Sequence, residues 1–282
     1  MMRAPGAVAT AVRRPSGEVV VRRQRYRSPS QRWRVLKLPV LRGALVLVES
    51  LVLGMKALVF STEVASADEK AEHSQPRTFS WDILGAVVLA LVLGLALFFY
   101  LPLMATEWLG VRNSVLFNLV DGVFRVVVFV LYIWLISRWK EMRRVFEYHG
   151  AEHKVIFTYE SGEDVTVTNA RKFGTQHPRC GTSFLLVVMV VSVLVFVLLG
   201  RPESVGQRAL RLAFVPLIAG VSYELIRLSD RSQSAVRRFV AAPGLWFQRW
   251  TTREPSDEQL EVALRAFNEA REWMETGEDE SE

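Results

Sequence analysis

Residues 147–157 read EYHGAEHKVIF and place His149 and His153 four apart, with Glu152 beside the second, in a chain with only four histidines. On a helix, residues four apart share a side, so both imidazoles can address one point. Glu152 is near enough in sequence to act on water at that point. The pattern is H-x-x-E-H, in which two histidines hold zinc and the glutamate serves as general base. A short motif of this kind also fits histidines at a solvated helix end. HPRCGT, at 177–182, adds His177 and Cys180, two further ligand types three apart. Three of the four histidines and the only cysteine thus lie between 149 and 180, while His73 stands apart.

Glu224, in GVSYELIRLS, is a carboxylate in an apolar segment, where such groups have a partner or a job. It either completes a His-His-Glu set, leaving Glu152 free as base, or forms an ion pair with Arg227 or Arg211. Tyr223 beside it is a candidate phenol donor. Asp121 and Arg125 are also four apart, and with Asn118 they suit a clamp between helices, or less simply a solute path.

The elements that must position these groups are apolar. Half of the 282 residues are hydrophobic, and Lys plus Arg outnumber Asp plus Glu by 35 to 29. Long, nearly charge-free runs at Gly85–Ala105, Val115–Ser137, Phe184–Leu199 and Ala209–Ile226 predict four transmembrane helices in two hairpins. Leu38–Phe60 carries Arg42, Glu49 and Lys56 at seven-residue intervals on one face, which predicts an interfacial or re-entrant helix, with a full fifth span as the alternative. Residues 1–42 hold 11 Lys or Arg and one acid, and 137–182 hold 8 basic residues, so both segments are expected in the cytoplasm. One cysteine forms no intrachain disulfide, and a polar, arginine-rich beginning does not read as a cleaved signal.

The fold class is therefore an all-α polytopic membrane protein with a small N-terminal β-hairpin turning at Pro15-Ser16-Gly17. The expected divisions are a basic N-terminal segment (1–37), the interfacial or re-entrant helix (38–60), a linker (61–80), a first transmembrane hairpin (81–137), a cytoplasmic loop carrying both motifs (138–182), a second hairpin (183–228) and a cytoplasmic C-terminal region (229–282). In the last, Ser256 with Gln259 predicts a capped amphipathic helix burying Leu260, Ala263, Leu264, Phe267 and Met274, before the acidic tail GEDESE. No nucleotide loop or nucleic-acid module is present, and the basic beginning suits anionic lipid.

AVRRPSGE, FRVVVFVLYIWLIS, RVFEYHGAEHKVIFTYESGE, HPRCGTSF, SYELIR and PGLWFQRWTTREPSDEQLEVA together resemble the YqhQ-like (DUF1385) family of bacterial integral membrane proteins. The resemblance covers about residues 1–270 and implies a metal-dependent enzyme of unassigned reaction in the bacterial inner membrane. It places the family's histidine motif at His149, Glu152 and His153, and a second motif at His177 and Cys180. Members share G-G-Q-A-V-x-E-G-V just before M-M-R, whereas this chain begins at Met1-Met2-Arg3.

Three functions follow as expectations. The first is a zinc-dependent hydrolase at the cytoplasmic face, with Glu152 catalytic, the metal held by His149 and His153 with Glu224 or the His177/Cys180 pair, and a peptide or lipid-linked substrate. The second is a scaffold stapled by a closed metal site. The third is a small transporter acting as an oligomer. Membrane lipids are partners in each, and both termini are expected in the cytoplasm.

Overall fold

A computed structural model describes residues 1–67, 81–231 and 235–276. His73 and the tail GEDESE lie outside them. Three antiparallel strands open the chain: β1 (Met2–Ala4), β2 (Ala7–Arg13) and β3 (Val19–Arg25), in the order β1-β2-β3. The predicted hairpin is β2–β3, in register from Ala7↔Arg25 to Arg13↔Val19, and β1 adds a third strand with Met2 opposite Ala9.

Twelve α-helices follow among the described residues. A single turn, α1 (Pro29–Arg32), leads to the long α2 (Leu41–Ala67). Next come α3 (Trp81–Leu95), α4 (Leu101–Trp108), α5 (Ser114–Ile136), α6 (Lys140–Glu160), the short α7 (Val167–Ala170) and α8 (Gly181–Leu199). The chain continues through α9 (Val205–Ala213), α10 (Val215–Arg231), α11 (Ala235–Thr251) and α12 (Asp257–Thr276). Among the described residues, four helical stretches are long and apolar enough to cross a membrane: Leu41–Ala65, Gly85–Trp108, Ser114–Ile136 and Val205–Ser229. They include α2, the segment expected at the interface. Phe184–Leu199 is shorter, although α8 as a whole has 19 residues, about 28 Å of rise, close to the hydrocarbon thickness.

Polar side chains hold the apolar helices together. A π-helical turn, Ala96–Tyr100, joins α3 to α4, and Pro102 has no N–H to give to the carbonyl four residues back, Phe98. Arg125 of α5 supplies the missing donor at 3.1 Å and also grips Asp121 through Nε at 2.8 Å. Arg211 of α9, 1% exposed, donates to Asn118 Oδ1 and to the Gly200 carbonyl, both at 2.6 Å. These contacts form the clamp between helices that the spacing of Asp121 and Arg125 suggested.

The other half of the fold is a packed domain beside the bundle. The predicted capping box forms: Ser256 Oγ accepts the Gln259 N–H, and Gln259 Oε1 accepts the Ser256 N–H at 2.9 Å. The α12 face bearing Leu260, Ala263, Leu264 and Phe267 then buries against Met2 and Ala9 of the sheet and Ala151 and Val155 of α6. The buried side of α6 is thus fixed by sheet and α12 together, which sets the direction in which its histidines point.

Candidate metal centre

His149 and His153 stand one turn apart on α6, and Cys180 is the residue that caps α8. Their ligand atoms all lie within 4.8 Å of one another. His149 Nε2 is 3.2 Å from Cys180 Sγ, and the two histidine rings are 4.4 Å apart. His153 is buried, whereas His149 and Cys180 are half-buried, so the cluster sits at the edge of the packed domain.

Backbone carbonyls orient both rings. His149 Nδ1–H donates to the Thr251 carbonyl at 2.7 Å, and His153 Nδ1–H donates to the Thr175 carbonyl at 2.5 Å. Each contact holds the proton on Nδ1, so that Nε2, which faces Cys180 on His149, is the nitrogen that would bind a metal once its own proton leaves, the arrangement by which outer contacts orient metal-binding histidines.

The segment that supplies Thr251 approaches α6 closely because of a glycine. A Cβ at Gly150 would lie 2.0 Å from the Arg253 carbonyl oxygen, and the Arg253 N–H donates to the Phe146 carbonyl at 2.9 Å. On the other side, Gln248, fully buried in α11, takes the His177 N–H at 2.7 Å and donates to the His177 carbonyl at 2.9 Å. Thr252 reaches Thr175 at 3.2 Å. The end of α11 therefore positions both the α6 histidines and the loop leading to Cys180.

Charge in the cluster is coupled. Burial pushes the Cys180 thiol up, but hydrogen bonds from His149 and His153, with their charges, outweigh it and bring the thiol down to about 5. Burial pushes His149 down, and the hydrogen bond and charge of Cys180, with help from Thr251 and Glu152, turn the balance upward. Metal-free protein thus holds a thiolate at neutral pH, the form that ligates metal. An ordinary thiol is alkylated about tenfold faster per pH unit until its pKa near 8.5. Iodoacetamide should instead label Cys180 of metal-free protein at a nearly constant rate from pH 6 to 8, with the ordinary slope returning in His149→Ala/His153→Ala.

The remaining predicted residues lie differently. His177 is buried beside His153, with ring centres 5.6 Å apart, but both of its nitrogens are occupied. Nδ1 accepts the Arg179 N–H at 3.2 Å, and Nε2 faces Glu160 Oε2 at 3.3 Å. Its pKa is lowered, chiefly by burial. The H-P-R-C motif is thus split: Cys180 joins the cluster, and His177 braces the loop against Glu160. Glu224 is not in the cluster either. It is held by Arg42 of α2 through contacts of 2.5 to 3.1 Å, in place of the expected Arg227 or Arg211. Its neighbour Tyr223 packs at the crossing of α2 and α10, where a Cβ on Gly43 would meet the Tyr223 Cβ at 2.6 Å. Glu152 is half-buried, has no hydrogen-bond or ion-pair partner among the described residues, and its charge is felt by His149.

Fold and site define an all-α protein with helices of membrane-spanning length and a His/His/Cys cluster capable of holding a divalent metal ion. The chain belongs to the family described as "Protein of unknown function (DUF1385)", whose model matches residues 38–273. It is 31% identical over 272 residues to "Uncharacterized protein YqhQ" of Bacillus subtilis (strain 168), covering 92% of this chain and 85% of that protein. No solved structure matches.

Proposed function

We propose that the protein is a membrane-embedded, metal-dependent hydrolase in which His149, His153 and Cys180 hold a zinc ion and Glu152 is the general base. The observation that carries this reading is the three-ligand cluster whose histidines are both locked through Nδ1–H onto carbonyls. Imidazole and thiolate donors suit zinc, and three protein ligands leave the fourth tetrahedral position that catalytic zinc sites keep open. When bound there, the ion supplies Lewis-acid chemistry, acidifying water and polarising a carbonyl. Glu152, one residue before His153 and free of partners among the described residues, receives the proton at its carboxylate. A closed staple needs a fourth protein ligand, and the two candidates named from sequence, His177 and Glu224, are committed to Glu160 and Arg42. This favours the enzyme over the scaffold. The transporter reading loses ground because Asp121 is paired with Arg125 within α5, and Arg125 and Glu224 are engaged in contacts between helices.

We place it in the bacterial inner membrane with both termini in the cytoplasm, a reading that the basic flanks support when α2 does not cross. The placement of α2 supports it. Glu49 and Glu63 of α2 pair with Arg3 and Arg22 of the sheet, and Arg22 lies 4.0 Å over the Phe60 ring. One side of α2 is thus tied to the polar domain, which suits a helix lying at the membrane surface. Peptide or lipid-linked substrates are both compatible with a site at that level.

Cobalt(II) in place of zinc tests for an open position. Azide should change the visible spectrum of the cobalt protein, and Glu152→Gln should bind cobalt as well as wild type does. A spectrum indifferent to azide would support the closed scaffold and remove the hydrolase.

A further inference from the structure

A surface cavity of about 390 Å³ lies on a different face of α6 from the histidines. Lys140, Arg143, Arg144 and Tyr148 contribute to it at positions i, i+3, i+4 and i+8, one continuous stripe of the helix. Arg13 at the end of β2 and Ser256 before α12 complete the wall. Arg13, Lys140, Arg143 and Arg144 outnumber Glu147 and Glu258 in this lining, and although Glu261 pairs with Arg13 from outside it, the cavity keeps a net positive charge. Glu147, one of the two acids, is engaged by Gln259 at 3.0 Å and by Arg143 at 3.3 Å. Lys140 and Arg144 have no side-chain hydrogen-bond or ion-pair partner among the described residues. Arg13 is held by the Gly17 and Glu258 carbonyls and by Glu261, with its buried Nε alone lacking a partner.

The depth of this cavity in a membrane is marked independently. Trp134 and Trp139, 39% and 65% exposed, stand where α5 gives way to α6, and the Arg138 guanidinium lies 3.5 Å over the Trp134 ring. Exposed tryptophans at the end of an apolar helix occupy the headgroup level. Lys140 follows Trp139 directly, so the cationic stripe begins where lipid phosphates lie.

We propose that this cavity binds the phosphate of an anionic phospholipid headgroup, with Lys140, Arg143 and Arg144 as the cationic contacts and the Tyr148 hydroxyl as a further donor. Each cation near an anionic surface adds enough attraction that losing two weakens binding at least about tenfold. The assignment is independent of the metal, because none of these side chains belongs to the His/His/Cys cluster.

The test uses the purified full chain in phosphatidylcholine nanodiscs doped with phosphatidylglycerol, with retained lipid counted by native mass spectrometry. Wild type should retain phosphatidylglycerol preferentially. Lys140→Ala/Arg144→Ala should lower that retention at least about tenfold with metal content unchanged. Lys140→Arg/Arg144→Lys should preserve it, as should Lys172→Ala, which removes a cation outside the cavity. Equal retention in wild type and the double alanine variant, or equal retention of phosphatidylcholine, would overturn the proposal. Displacement of the lipid by an equal concentration of inorganic phosphate would overturn it too, by identifying a site for free anions.

Discussion

Gly150→Ala should destabilise the protein by about 2–3 kcal/mol and deplete it of metal, although it replaces no ligand side chain. A methyl group there would sit 2.0 Å from the Arg253 carbonyl oxygen, a backbone atom that no side-chain rotation can move aside. The 251–253 segment must therefore withdraw from α6. It takes with it the Thr251 carbonyl that orients His149 and the Thr252 contact to the Thr175 segment that orients His153. A helix-interior glycine otherwise gains roughly 0.5–1 kcal/mol from the same change. Gly94→Ala, in α3 with nothing within 4 Å of the added carbon, is the matched control and should be neutral or stabilising. Thermal unfolding in detergent with metal analysis of each variant checks both effects. Retention of full stability and metal by Gly150→Ala would refute the role assigned to the 251–253 segment.

The legibility of this chain depended on what kind of group does each job. Nearly charge-free runs carried the membrane-length helices at Gly85–Trp108, Ser114–Ile136 and Val205–Ser229, and turn and cap residues carried the hairpin at Pro15-Ser16-Gly17 and α12, because burial and capping select side chains; the charged stripe of α2 hid a helix that is also of membrane-spanning length. The cluster was readable for His149, His153 and Cys180 because ligand-type atoms belong to particular side chains. His177 misled because its spacing from Cys180 matches a metal knuckle, while in the fold its two nitrogens serve Arg179 and Glu160. Glu224 misled because its partner, Arg42, lies 182 residues away, a distance no local pattern reports. The Thr175 and Thr251 carbonyls were invisible since every residue has one. Gln248 left a fainter signal: it is the only amide in α11, and it proves fully buried.

The same geometry sets the second large effect, the dependence of metal retention on each ligand. Losing one of three ligands should weaken binding by more than the roughly 10–100-fold that changes in outer contacts cost. His177 and Glu224, facing Glu160 and Arg42, should be dispensable for binding. The direct measurement is metal analysis of the purified full chain after zinc loading and dialysis, for wild type, His149→Ala/His153→Ala, Cys180→Ala and His177→Ala/Glu224→Ala, with tryptophan fluorescence confirming folding. The predicted result is about one zinc per chain in wild type and in His177→Ala/Glu224→Ala, and near zero in the other two. Near-zero zinc in folded wild type, or equal zinc in all four proteins, would contradict a metal centre built from His149, His153 and Cys180.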